Sequence, residues 1–469
     1  MKENLIGTTI FDTTGRRYVI EKQIGEGAQG IVYESSDGFI IKKNHTNKES
    51  RGELTKRYKW IINQRVPKEA RMVTPIAILS EPHTGYVMKK VKGHVPLAKL
   101  INVSTKVPFG EWYNVLTGGL KKRLEISTSL SKCFRNLHIH GLCYCDISPN
   151  NILVAMKAKS IVLIDPDNLT STGTFKNTIL GTPRYIAPEL FMGANQPNSL
   201  TDTYSFAVIL FELLRLGHPL LGDDILENTP EVEEHALKGN AVYVDHPEDA
   251  SNRNTRILPA QFAFTEELKS LFERTFVDGL HDSTKRPTIS EFRVACQQAE
   301  DLLMTCKNPD CSATFYYQAD KALECPWCLK EFDKPYRFTC TEAITVKDSQ
   351  FEDGKLPIPE KMTGELVLKE GFNLLCKRHF EPFTAIDGEE KVAAIELTDK
   401  QEIKIHNLQA DIIIIFNKVT RQKKNIGQKQ TSTFNPKEDV IIYNRVTDLK
   451  GINDIFESCS VLNYGMISS

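Results

Sequence analysis

Short β-branched and alternating apolar runs dominate the first ninety positions of the chain. RRYVIEKQI (16–24), GIVYES (30–35) and FIIKK (39–43) are separated by Gly-rich or Asp-Gly turns, and each predicts a strand. Asp37-Gly38 between two such runs signals a hairpin. The stretch 50–65 has apolar spacing near 3.6 with abundant charge and predicts a helix, after which 83–93 returns to strand. From about 111 to 301 the period changes. LKKRLEISTSLSKCFRNLHIHG (120–141) is a long amphipathic helix closed by Gly141, and TDTYSFAVILFELLRLG (201–217) is apolar enough for a central buried helix stopped by Gly217. The stretches 265–277 and 289–306 predict amphipathic surface helices. A strand-rich part followed by a helical part is an α+β arrangement with a cleft where the two meet. Beyond 338 strands return in KVAAIEL, EIKIHNL, DIIIIFN and DVIIYNRV, while RQKKNIGQKQTSTFNP (421–436) reads as a loop.

Composition narrows the functional classes. The 469 residues suggest two to four domains, and 41% hydrophobic with 25% charged residues is ordinary for globular protein. A net charge of −1 provides no global field for nucleic acid or anionic membrane, so neither is an expected partner. No apolar run approaches the roughly 18 residues of a membrane span. The first residues lack a leader's apolar core, and a cytoplasmic location is expected. Of eleven cysteines, seven are scattered singly and read as small buried hydrophobes.

Two stretches carry chemistry. YCDISPNNILVAMKAKSIVLIDPDNL (144–169) sets Asp146 in a loop after a helix, Asn151 before a strand and Asp165 after the next. That order of carboxylate, amide and carboxylate suits a phosphoryl-transfer site: Asp146 orients an acceptor hydroxyl, while Asn151 and Asp165 offer oxygens to Mg²⁺. GEGAQGIV (25–32) spaces Gly25, Gly27 and Gly30 between two strands rather than ahead of a helix, which favours a hairpin lid over phosphates. Lys42, in the following strand, would neutralise phosphate charge beneath that lid. Further along come GTPRYIAPE (181–189), Asp202 at the head of the apolar helix, and Arg286 as a partner for Glu189.

In this order, residues 16–301 resemble a eukaryotic-type protein kinase domain. The resemblance implies a two-lobed fold with an N-lobe (16–91) of five strands and one helix, a helical C-lobe (92–301), and Mg·ATP between them. It implies Ile24, Val32, Met88 and Leu153 around adenine, Met88 as gatekeeper and 89–91 as hinge. It also implies a helix glutamate paired with Lys42, with Glu53 the first choice and Glu49 the second. Three departures stand out: Cys145 for the usual Arg, Ser148 for the usual Lys, and Pro166-Asp167 for Phe-Gly. None removes the base, the metal ligands or the lysine, so transfer to Ser/Thr hydroxyls of proteins, the chain itself included, is expected. A catalytically silent scaffold and a docking module are the alternatives.

CKNPDC and CPWC place Cys306, Cys311, Cys325 and Cys328 at the spacing of a four-thiolate Zn²⁺ site, so 302–337 is expected to be a structural zinc ribbon. A kinase domain followed by such a ribbon resembles the bacterial kinases of the tellurite-resistance phosphorylation triad. That narrower likeness implies a metal-dependent phosphatase and a von Willebrand-type protein as partners. Residues 338–469 are expected to form a β-sandwich that resembles a degenerate forkhead-associated domain lacking the phosphopeptide-binding set.

Overall fold

The computed structural model describes residues 5–27, 29–45, 48–171, 181–193, 196–319, 323–345, 358–380, 389–398, 402–410, 412–435, 437–444 and 460–468. The side chains of 48–49, 342–345, 358–361, 444 and 460–464 are not among those described. The chain divides into two compact units, Met1–Gln297 and Gln298–Ser469. The cysteine module and the late strands, expected as separate domains, fall in the same second unit.

The first unit opens with an antiparallel sheet. Its strands are β1 (Thr9–Phe11), β2 (Arg17–Gly27), β3 (Gly30–Ser35), β4 (Phe39–Asn44), β5 (Ala77–Ile78) and β6 (Gly85–Lys89), in the order β1-β2-β3-β4-β6-β5. Five strands were expected; the sixth, β1, precedes residue 16, pairing Thr9 with Val19 and burying Ile10. Helix α1 (Lys48–Asn63) turns Leu54, Tyr58 and Ile61 inward, the i, i+4, i+7 stripe of an amphipathic helix. Tyr58 meets Tyr86 of β6 edge-on at 4.9 Å and donates a 2.8 Å hydrogen bond to Asn44 of β4. At Gly85 a Cβ would sit 1.9 Å from the Lys42 carbonyl oxygen, so only glycine lets β6 lie against the strand that carries the lysine.

The helical part is organised by two helices, Gly119–Ile139 and Ser199–Arg215, joined in the core by rings such as Phe134 and Phe206. Asn198 and Thr201 form a capping box at the start of the second. That helix ends at Leu216, whose φ is 62°, and not at Gly217. Glycine at 217 has a different cause: a Cβ there would lie 2.1 Å from Ile257 Cγ2.

In the second unit, Leu303–Thr305 pairs with Thr314–Tyr316 as a hairpin, and two sheets follow. One has six strands in the order Ile358–Val367, Arg337–Thr345, Ser460–Ser468, Val440–Asn444, Ile412–Asn417, Lys423–Gly427. The other has four: Gly371–Cys376, Lys391–Leu397, Ile403–Asn407, Thr431–Phe434. A core including Phe338, Leu375, Ile395, Ile405, Ile413 and Ile442 lies between them. The stretch 421–436, expected as a loop, supplies an edge strand to each sheet. Among its described residues most polar ones face outward, and only Ile426, Ser432 and Phe434 are buried, which is how exposed edges resist further pairing.

Arg286 is fully buried and grips Glu189 through two bonds of 2.7 and 2.9 Å, with further donation to the carbonyls of Gly279 and Leu200. Removing the arginine strands a carboxylate and three carbonyls inside the lobe, those of Gly279, Leu200 and Leu280. Arg286→Ala is therefore expected to lower the unfolding free energy by about 3–5 kcal/mol, read as a drop in the urea midpoint.

Candidate active site

The loop carrying Asp146 is held from behind. Both Asp202 carboxylate oxygens accept main-chain hydrogen bonds, from Tyr144 N at 2.8 Å and Cys145 N at 2.9 Å, and His138 Nε2 approaches at 3.2 Å. Cys145 needs that grip, because its φ of 69° is costly for a side chain with a Cβ. Tyr144 reaches forward and donates to the Ile164 carbonyl just before Asp165. Burial pushes the Cys145 thiol well above its ordinary range, so it sits there as a small apolar group.

The strands Ile152–Val154 and Ile161–Leu163 pair antiparallel, and Ile164 N donates to Asn151 O at 2.9 Å. This pairing is what brings the amide and the second carboxylate together. The Asn151 side-chain nitrogen donates to the Asp146 carbonyl at 3.1 Å, spending the donor end of the amide on the loop. Asp165 adopts φ 59°, ψ 68°, and the chain then winds through one tight turn, Pro166–Asn168. Burial raises the Asp146 carboxyl above its usual value, against the pull of the Thr182 hydroxyl, which donates to its Oδ1 at 3.1 Å. A carboxylate shifted that way is better matched to accept a proton near neutrality.

Two neighbouring cavities share Val32, Lys42, Asn151 and Asp165 in their walls. The polar one, about 410 Å³, lies beneath Gly27 and Gly30 and is floored by Asp146 and Ser148. The apolar one, about 240 Å³, is bounded by Ile24, Ile40, Met88, Leu153 and the segment 89–91. Gly25 lines neither; it pairs with Val32 in the hairpin. Gly30 has a packing reason as well, since a Cβ there would lie 2.3 Å from the Lys43 carbonyl oxygen.

Lys42 is buried, with Nζ 2.6 Å from Asp165 Oδ1, 2.8 Å from Asp167 Oδ2 and 3.3 Å from Gln29 Oε1. Burial opposes its charge, but the Asp167 and Asp165 carboxylates outweigh that and hold its pKa above the ordinary lysine value. The expectation for Glu53 fails. That side chain is 76% exposed and bonds Lys56 at 2.9 Å, because it lies off the inward stripe of α1. Glu49 lies outside the described side chains. The residue α1 turns toward the site is Arg57, donating to the carbonyls of Asp167 at 2.6 Å and Leu169 at 2.9 Å. Sequence reasoning missed Arg57 and the contact of Asp167 with Lys42. The signal for the first was a cation three residues after Leu54 and four before Ile61.

A protein kinase domain model matches residues 18–298. The chain belongs to the protein kinase domain family. It is 25% identical over 222 residues to a probable serine/threonine-protein kinase of Clostridium acetobutylicum, covering 45% of this chain and 31% of that one. Protein kinase YegI of Escherichia coli K12 is 23% identical over 359 residues, covering 70% of this chain and 50% of the relative. A probable serine/threonine-protein kinase PknB of Lactococcus lactis is 26% identical over 270 residues, 51% and 40% respectively. The chain thus spans half or less of the length of these curated relatives. No helix among the described residues is long and apolar enough to cross a membrane.

In this kinase fold the segment after Gly181 is tied to the central helix. Tyr185 donates to Glu212 Oε2 at 2.7 Å, and burial drives the Glu212 carboxyl up to about 7 despite that bond and nearby Arg184. The raised value means the folded chain holds the Glu212 proton more tightly than the unfolded chain. Stability from this group is therefore present below its ordinary value of 4.5 and is lost as pH rises through about 7. Glu212→Gln removes the dependence: between pH 5 and pH 8, wild type is expected to lose up to about 3 kcal/mol relative to the variant in paired urea titrations.

Proposed function

We propose that the chain is an ATP-dependent protein kinase acting on serine and threonine hydroxyls of proteins, with its own segment around Thr170, Ser171 and Thr182 among the candidate acceptors. The observation that carries this is the convergence of Lys42, Asp146, Asn151 and Asp165 on one polar cavity with an apolar slot beside it. In this reading Ile24, Val32, Met88 and Leu153 enclose adenine, while Gly27 and Gly30 cover the phosphates. Asp165 and Asn151 would hold Mg²⁺, which supplies charge neutralisation at the transferred group. The donor set fits a hard cation, being a carboxylate and an amide whose donor end is already used. Asp146 would orient the acceptor hydroxyl and take its proton, with Thr182 holding the carboxylate in place. Ser148, at the floor of the cavity, supplies a hydroxyl where a cation is usual, so stabilisation of the migrating charge falls more heavily on Lys42 and the metal.

Four thiols of the second unit support a structural metal. Cys306 and Cys328 Sγ are 3.6 Å apart, Cys311 and Cys325 Sγ are 3.7 Å apart, and all four lie within 4.8 Å of one another. Ligands about 2.3 Å from a tetrahedral Zn²⁺ would be about 3.8 Å apart, so the set fits that ion. Ser312 and Leu329, each following a cysteine, take φ of 51° and 58° and turn the chain back. The order of kinase domain and cysteine module is what supports extending the reading to a metal-dependent phosphatase and a von Willebrand-type protein as partners.

Incubation with Mg²⁺, γ-labelled ATP and a panel of Ser/Thr acceptors is expected to give transfer, and Asp146→Asn to reduce it by about 10²–10⁴-fold. Equal labelling by both proteins, or none by either, would leave a scaffold as the better reading. Elemental analysis is expected to find about one zinc per chain, lost together with thermal stability in Cys325→Ser/Cys328→Ser.

A further inference from the structure

The partners of Lys42 reveal an exchange of charge between α1 and the turn after Asp165. The helix face that looks into the site offers Leu54, Arg57, Tyr58 and Ile61, and the described carboxylate of α1, Glu53, points away from it. The turn, where glycine would be usual, offers Asp167. Its side chain is 9% exposed and its Oδ2 stands 2.8 Å from Lys42 Nζ. Asp165, the other partner, is 31% exposed and lines both cavities, whereas Asp167 lines neither. Asp167 thus lies outside the walls of both cavities, and its ion pair among the described residues is with the lysine.

The turn itself is pinned by the helix. Arg57 donates to the carbonyl oxygens of Asp167 and Leu169, Leu169 N closes back on Pro166 O at 3.0 Å, and proline fixes one backbone angle between the two aspartates. The Tyr86 hydroxyl lies beside Asp167 without forming a well-aligned hydrogen bond, and Oδ1 of Asp167 is left buried and unpaired. The lysine is therefore the charge partner that makes this buried carboxylate tenable.

We infer that Asp167 is the positioning residue for the nucleotide-binding Lys42, in the place a helix glutamate would hold, and that Arg57 is the cation that fixes the Asp167 turn. The inference rests on the kinase reading for its purpose. A metal held by Asp165 would draw on the charge of the carboxylate whose Oδ1 now touches Lys42, exchanging part of that contact for the cation. Asp167 keeps its hold through that exchange, so the amine stays aimed into the cleft. The anchor is carried by the turn, and among the described residues of α1 it is Arg57 that holds the turn, through two carbonyls.

The test is a double-mutant cycle in the full chain, read by binding of a fluorescent ATP analogue with and without Mg²⁺, alongside steady-state kcat and KM for ATP and melting temperature. Asp167→Asn is expected to weaken nucleotide binding about tenfold or more, with Asp167→Glu recovering part of the loss. In a Lys42→Met background, Asp167→Asn should add almost nothing, because its effect passes through the lysine. Glu53→Ala should stay within about twofold of wild type, and Arg57→Met should reproduce a part of the Asp167→Asn defect. Additive losses in the double mutant, or an equal loss from Glu53→Ala or Glu49→Ala, would overturn the inference. A wild-type chain that binds ATP but transfers no phosphate removes the kinase reading and leaves this comparison standing. A chain that binds no nucleotide overturns both.

Discussion

An ammonium group cannot stay charged in a protein interior unless opposite charge lies close to it, and the architecture of this cleft follows from meeting that condition at Lys42. The lysine sits on β4, which is locked to β6 by the missing side chain at Gly85 and to α1 by Tyr58. Its two counter-charges arrive from the other lobe, on the turn from Asp165 to Asp167. One buried cation therefore joins the strand part to the helical part. It also brings together the segments on which the rest of the site is built: the lid above, the Asn151 strand beside it and the Asp146 loop below.

The second constraint is backbone strain. Cys145 and Asp165 both hold positive φ, and neither is a residue type that adopts it without cost. The Asp202 carboxylate compensates at the first position and the Lys42 contact at the second. Both compensators are acids or bases buried against the strained segment, so the conformation of the site and its electrostatics cannot be varied independently.

Much of this was legible in the sequence where a period or a spacing reports directly on geometry. The strands of the first lobe, the long helix ending before Gly141, the apolar helix headed by Asp202, and the two cysteine pairs all show such patterns. What failed depended on tertiary contact. The resemblance points to Glu53 as the partner of Lys42, yet the phase of α1, set by Leu54, Tyr58 and Ile61, turns it to solvent. Gly217 looked like a helix stop because glycine so often is one, but its reason is the Ile257 methyl beside it. The stretch 421–436 looked like a loop because edge strands with an outward polar face lack the apolar alternation of inner ones. The partnership of Asp167 with Lys42 left no one-dimensional trace, since it joins residues 125 positions apart through a fold that has to form first.

The proline between the two aspartates has a pharmacological consequence. Inhibitors that work by inverting the segment after the metal-binding aspartate need that segment to swing out and open a deep pocket behind it. Here the swing would have to break two ionic contacts to one lysine and draw a guanidinium off two carbonyls, around a ring that cannot rotate. Compounds of that kind should find no foothold. Flat heteroaromatic ligands that fill the slot between Val32 and Leu153 would face no such barrier.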